Sequence, residues 1–327
     1  MLLWLRVPAA DNSQPSARRA QRVIAAIVVG AVAALVHYAK INAVPDHPGD
    51  FGLAWFGARA MLHGGNPYEL IGPGLVYDWP WRLIYPLTAM AAALPFALFP
   101  QTPATLAFVF ASGALLAYSV TRNHWYPLLM CTSAAFLIAA GAAQWSPLFT
   151  AAMGLPPLAL FFAAKPTVGF ALAIAGSRSV RKFAVIGAAI LMAVSLMMFP
   201  RWPVEWYRSL STATQVAPPL LRFGGVTVLI ALLRWRRWDA RLIVALACVP
   251  QTGSWYEILP LFLVPASATE MMALVAISSS GWLMQDVVMT ATNETQYNQQ
   301  VGAMMVALGY LPAVIMVLRR PNRHDDH

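Results

Sequence analysis

The stretch "VIAAIVVGAVAALVHYA" (23–39) holds no Asp, Glu, Lys or Arg, and similar runs recur as far as residue 318. Apolar runs of this length and number find too little interior in a water-soluble domain, and lipid is the solvent that accepts them. The charge content agrees, because 11% charged residues against 59% hydrophobic ones leave too few charges for a water-exposed surface. Backbone groups facing lipid must be satisfied internally, which leaves helices or a closed barrel, and the runs do not alternate with period two. The expected fold class is therefore an all-α polytopic membrane protein.

Spans are expected near 22–41, 85–100, 103–121, 125–141, 147–164, 166–177, 182–200, 219–234, 241–252, 255–268, 271–288 and 301–318, about 12 crossings. Segments 1–21 and 319–327 are then a cytoplasmic lead and a basic cytoplasmic tail around one transmembrane domain, 22–318. The 22–41 run lacks a small-residue cleavage site and reads as a retained first span. Most of the 22 basic residues fall on the cytoplasmic side of this threading, in the N-terminal segment with Arg6, "SRSVRK", "RWRRWDAR" and the tail with Arg323. That distribution accounts for the +9 charge without nucleic acid. Lys40, Arg59, Arg82, Arg122, Lys165, Arg201, Arg208 and Arg222 fall against the bias, at the outer side. They are candidates either for snorkelling at helix ends or for function. Several spans are short, and the breaks at "KPTVG" and "VPQTGSW" are of the kind tolerated where backbone lines a cavity.

The longest outer loop, 42–84, contains "PGDFGLAWFGARAMLHGGNPYEL". Pro45, Pro48 and Gly49 stop the preceding helix, and Phe51, Ala54, Trp55, Ala58 and Leu62 suggest an amphipathic helix lying in the interface. Asp50 is then an N-cap, a catalytic carboxylate, or both. A second outer element, "YDWPWRLIYPL", adds Asp78, Arg82 and the aromatic belt of Tyr77, Trp79, Trp81 and Tyr85. Carboxylates, cations and aromatic surfaces at one face suit a lipid carrying a phosphate. No phosphate-cradling glycine loop, zinc spacing or GxSxG elbow is present. Cys131 and Cys248 lie in apolar runs and read as small core or interface residues.

"GDFGLAWFGARAMLHGGNPYEL" resembles the first outer loop of the glycosyltransferase family 87 group, whose members have a GT-C fold. "YPLTAMAAALPFALFP", "GAAQWSPLFTAA", "AAKPTVGFALAIAG" and "PQTGSWYEILPLFLVPA" are similar to later segments of that family, in the same order. The resemblance implies a GT-C-like helical bundle in a bacterial inner membrane with its site on the outer face. It implies an inverting transfer of mannose from a polyprenyl-phosphate donor to the hydroxyl of a glycan or glycolipid acceptor. Asp50 would be the general base, and Lys165, Arg82 and Arg208 would hold the donor phosphate. Arg59, Tyr85, Gln144, Tyr256 and Glu257 would meet substrate or acceptor, with Glu257 standing where Asp or His is usual. No cofactor is implied. A divalent ion would need Asp46, Asp50 and Asp78 to converge. The competing readings are a transporter or flippase and a non-catalytic membrane paralogue.

Overall fold

A computed structural model describes residues 15–44, 48–212 and 216–322. Arg6, Pro45, Asp46 and Arg323, used in the expectations above, lie outside the described residues. The fold is that of an all-α membrane protein. Among the described residues, five helices are long and apolar enough to cross a bilayer, or six if a sharply bent pair is taken as one. The dozen expected crossings are not reached by that measure, and shorter segments make up the rest of the bundle.

Helix α1 (Pro15–Ala43) is followed by α2 (Asp50–Leu62), the single turn α3 (Pro67–Leu70) and a two-residue parallel bridge, β1 (Ile71–Gly72) with β2 (Tyr77–Asp78). After α4 (Leu87–Ala93) and a 3₁₀ segment, Leu94–Leu98, comes α5 (Gln101–Val120). Glycine decides how closely α1 and α5 pack: a Cβ on Gly30 would stand 2.7 Å from the Phe110 carbonyl oxygen, and one on Gly113 would stand 3.0 Å from the Ala33 Cβ. Such close approach is how helices associate where lipid offers no hydrophobic drive. The opposite face of α1 exposes Ile24, Ile27, Val28 and Leu35, an apolar surface suited to lipid.

Two ends of the molecule can be told apart by hydrogen bonds. At one, Arg18 donates to the Asn123 carbonyl at 2.7 Å and Arg22 to that of Tyr118 at 2.6 Å. We call this the basic end. Arg122 therefore sits with the N-terminal arginines, not across from them as expected, because α5 runs antiparallel to α1. At the other end, Gln101 donates to the Tyr77 hydroxyl at 2.9 Å. The 85–100 segment consequently starts and finishes at the same end and makes no crossing.

The next stretch also departs from expectation. A 3₁₀ segment, Tyr126–Thr132, leads into α6 (Ala134–Gly141), which meets α7 (Ser146–Ala152) at a bend of 119°. The chain turns again at Gly154, beside Ser119, and a third 3₁₀ segment, Pro156–Ala164, climbs back to place Lys165 against Gln144. The expected single span 147–164 is thus a descent and a return. Its Pro156–Pro157 pair suits a new helix start, where a missing N–H costs nothing.

Helices α8 (Pro166–Ala175), α9 (Arg178–Met198) and α10 (Trp202–Thr212) follow. A short 3₁₀ turn, Pro219–Leu221, and a longer 3₁₀ segment, Gly225–Arg234, connect to α11 (Trp238–Cys248) and a further 3₁₀ segment, Trp255–Leu263. Helix α12 (Ala268–Val288) precedes α13 (Glu294–Met305), a π turn at Val306–Tyr310 and α14 (Leu311–Leu318), which together form one long apolar span. Arg320 then pairs with Asp239 and Glu270, joining the starts of α11 and α12 to the chain's last described turn. Cys131 is buried as expected, whereas Cys248 is exposed; both are free thiols.

Helix α2, expected at an interface, is largely buried within the protein. Phe51, Leu53, Ala54, Trp55, Ala58 and Met61 are all buried, whereas Arg59 and Leu62 near its end are exposed. Its buried residues pack against α4, α5 and the Leu94–Leu98 turn.

Candidate functional site

The geometry starts with the missing side chain of Gly49, just before Asp50. Gly49, not Asp50, is the cap residue of α2, and it holds φ +90°. A Cβ there would lie 2.8 Å from the Ala142 carbonyl oxygen. The gap lets the N–H of Asp50 donate to that oxygen at 2.9 Å and the N–H of Phe51 to the Ala143 oxygen at 3.2 Å. The free donors of the first turn of α2 are thus satisfied by the bend between α6 and α7, where Ala143 itself adopts a left-handed φ of +48°. The Phe51 ring locks the same junction by stacking on Phe108 with centroids 3.9 Å apart.

With its helix start capped by backbone, the Asp50 side chain is released for another partner. Its Oδ2 accepts a hydrogen bond from the Tyr85 hydroxyl at 2.8 Å. Burial, then the Asp50 charge, push the Tyr85 hydroxyl well above its ordinary range, so it stays a donor. Tyr85 is held from behind: its carbonyl accepts from the Tyr68 hydroxyl at 3.1 Å. Tyr68 lies in α3, and its N–H donates to the Asn66 side chain at 3.1 Å. The "NPY" half of the loop motif therefore steadies the tyrosine that steadies the aspartate.

Asp50, Tyr85, Arg82, Gln144 and Tyr256 line one cavity of about 390 Å³. Trp79 and Trp81 form part of its wall. Lys165 stands immediately behind, with its Nζ 3.3 Å from Gln144 Oε1, 3.0 Å from Glu257 Oε1 and 4.7 Å from the centre of the Tyr256 ring. Glu257 is 2% exposed; its Oε1 also accepts from Thr252 at 3.3 Å, while its buried Oε2 has no hydrogen-bond partner. A buried carboxylate oxygen in that condition is costly unless a ligand or water serves it.

The other expected site residues go elsewhere. Arg59 is exposed, with its guanidinium 5.4 Å from the Trp55 ring, and does not line the cavity. Arg208 is exposed on α10 and does not line it either. His63 bonds the Arg59 carbonyl at 2.8 Å and Glu69 accepts from Asn66 at 3.1 Å, so both finish local turns. Of the motif's ionisable side chains, only Asp50 reaches the cavity. Asp78 accepts from the Gly74 N–H at 2.8 Å and lines a separate hollow. Among the described residues no group of three His, Cys, Asp or Glu could hold a metal ion.

Sequence reasoning missed one wall of the cavity. Glu294, Tyr297 and Asn298 of α13 line it, and Trp81 Nε1 donates to Glu294 Oε2 at 3.3 Å. Their i, i+3, i+4 spacing on one helical face was a usable signal inside the polar stretch "NETQYNQQ".

The cavity thus offers a partly exposed carboxylate with one neutral donor, a cation at the rim in Arg82, hydrogen-bonding amide and hydroxyl groups, and aromatic walls. It can accept a proton from a ligand hydroxyl at Asp50, hold an anion at Arg82 and stack a sugar ring. No family model, curated protein or solved structure matches the chain.

Proposed function

We propose that this chain is an inverting, lipid-linked glycosyltransferase working from the end of the bundle that carries the Asp50 cavity. The carrying observation is the pairing of Asp50 and Tyr85 in one cavity with Arg82 and Gln144, backed by the Lys165–Glu257 ion pair. On this reading the acceptor hydroxyl sits on Asp50. Its proton passes to the carboxylate as the oxygen bonds to the anomeric carbon. The bond from that carbon to the phosphate oxygen breaks, and the electron pair leaves on the phosphate. A phosphate leaving group needs no acid, so the protein supplies alignment and charge stabilisation.

Tyr85 fixes which carboxylate oxygen faces the acceptor. Arg82 meets the departing phosphate. Lys165 is already neutralised by Glu257, which makes the pair better suited to fixing Gln144 and Tyr256 than to binding phosphate alone. The motif resemblance points to polyprenyl-phosphate mannose as donor, with the cavity on the outer face of a bacterial inner membrane and both termini cytoplasmic.

Transfer from polyprenyl-phosphate mannose by the full chain in lipid discs tests the reading. Asp50→Asn is expected to lower kcat by about 10²–10⁴ with donor binding retained. Unchanged transfer in this variant would remove Asp50 as the base. Donor exchange across the membrane without chemical turnover would replace the enzyme by a transporter.

A further inference from the structure

At the end of the bundle that carries the Asp50 cavity, a second hollow of about 520 Å³ lies between the last turns of α1, β2 and the start of α5. His37, Tyr38, Tyr77, Asp78, Gln101 and Thr105 contribute to its lining. We propose that it binds the hydroxyl groups of an uncharged sugar, as a site separate from the Asp50 cavity and independent of the function proposed above.

The hollow is built from polar groups with hydrogen-bonding capacity left over. Thr105 is 1% exposed, and its hydroxyl has no hydrogen-bond partner. A buried hydroxyl in that condition destabilises the fold until a ligand or water serves it. His37, equally buried, bonds the Gly141 carbonyl through Nδ1 at 2.9 Å. A carbonyl only accepts, so Nδ1 carries the proton and the neutral ring keeps Nε2 as an acceptor for another partner. Gln101 donates to the Tyr77 hydroxyl at 2.9 Å, which leaves its side-chain oxygen and the Tyr77 proton for further bonds. That pair fits against α2 because residue 52 is glycine: a Cβ there would stand 2.9 Å from the Gln101 amide nitrogen.

This set of donors, acceptors and groups able to do both matches sugar hydroxyls, each of which donates and accepts. No Lys or Arg is among the described residues lining the hollow, so a phosphate has no cation to meet there. Asp78 brings a carboxylate that already accepts from the Gly74 N–H at 2.8 Å, and no metal-holding group of three exists among the described residues. The Tyr38 ring, 50% exposed, supplies an apolar face. The volume suits a small ligand, whose sites run to about 300–1,000 Å³. Pro48 and Asp78 line the hollow while Asp50 and Trp79 line the cavity, so the two are neighbours with no described lining residue in common.

The test uses the full chain in phosphatidylcholine discs. Methyl α-glycosides of mannose, glucose and galactose are the soluble probes, read by saturation-transfer NMR. The matching glycosyl diacylglycerols are the membrane-borne probes, read by native mass spectrometry. Thr105→Val keeps the side-chain shape and is expected to weaken binding about fivefold, with an unchanged denaturation midpoint. Asp78→Asn, at an exposed position, is expected to weaken it about tenfold. Asp50→Asn is expected to change it by less than about twofold. Weakening at Asp50 that equals or exceeds that at Thr105 and Asp78 would place the sugar in the Asp50 cavity and overturn the proposal. Binding indifferent to both Thr105→Val and Asp78→Asn, or no binding of any probe, would overturn it as well. Glycosides that bind with the expected dependence assign the site a soluble sugar, and glycolipids that alone do so assign it a membrane head group.

Discussion

Asp50 and Asp239 are both carboxylates in the first turn of a helix, at opposite ends of one bundle, and their surroundings divide their roles. Asp239 is almost fully buried, and both its oxygens are taken by guanidinium donors from Arg237 and Arg320. Nothing is left over for a ligand, and the pair ties α11 to the end of α14. Asp50 is partly exposed, receives one neutral hydroxyl from Tyr85 and faces a cavity. The chain relieves it of capping duty through Gly49, so the charge is positioned and still available. Residue type and helix position are shared. What differs is how many donors the fold has aimed at each.

Substitutions can break this contrast. The largest effect expected is Asp50→Asn on transfer, with little loss of stability, since one neutral hydrogen bond is altered. Asp239→Asn should do the reverse. Removing one partner of a buried ion network costs about 3–5 kcal/mol, seen as a lower denaturation midpoint, while turnover per folded molecule is kept. An Asp239→Asn chain as stable as the parent would deny the difference drawn here.

Tyr85→Phe sharpens the same comparison. It removes the single donor on Asp50 and should lower kcat about tenfold, in line with a lost hydrogen bond of about 1–1.5 kcal/mol. The smallest effect is expected for Arg59→Gln. Its side chain lies over Trp55 outside the cavity, so a stability change within about 0.5 kcal/mol and near-parental transfer are expected. A large loss of transfer at Arg59 would show that the cavity extends beyond its present walls.

Much of the cavity was legible in the sequence as chemistry without position. Asp50, Arg82, Tyr85, Gln144 and Tyr256 were singled out together, and the fold brings them to one cavity. Lys165 and Glu257 were named for separate roles and meet each other instead, because the return of Pro156–Ala164 puts Lys165 at the level of the Trp255–Leu263 segment. Arg59 and Arg208 looked equivalent to Arg82 as outer cations. A side chain's direction around its helix depends on which face the core claims, and charge alone does not report it. The burial of α2 was only partly readable: Phe51, Leu53, Ala54, Trp55 and Met61 leave an arc that carries Arg59, and the packing of α4 and α5 is what encloses the helix.

By itself the sequence determined that the chain is helical and embedded in lipid, because its apolar runs and scarce charges admit no other solvent. It also determined which side chains could carry chemistry. Only the tertiary structure decided that the 85–100 segment turns back without crossing and that α6 and α7 meet at a bend. It also decided that Gly49 docks on Ala142 to aim Asp50. The physical reason is distance along the chain. Apolar periodicity and composition act through nearest neighbours, whereas the Asp50 cavity depends on backbone hydrogen bonds and close contacts between segments far apart in sequence, made wherever a missing side chain allows them.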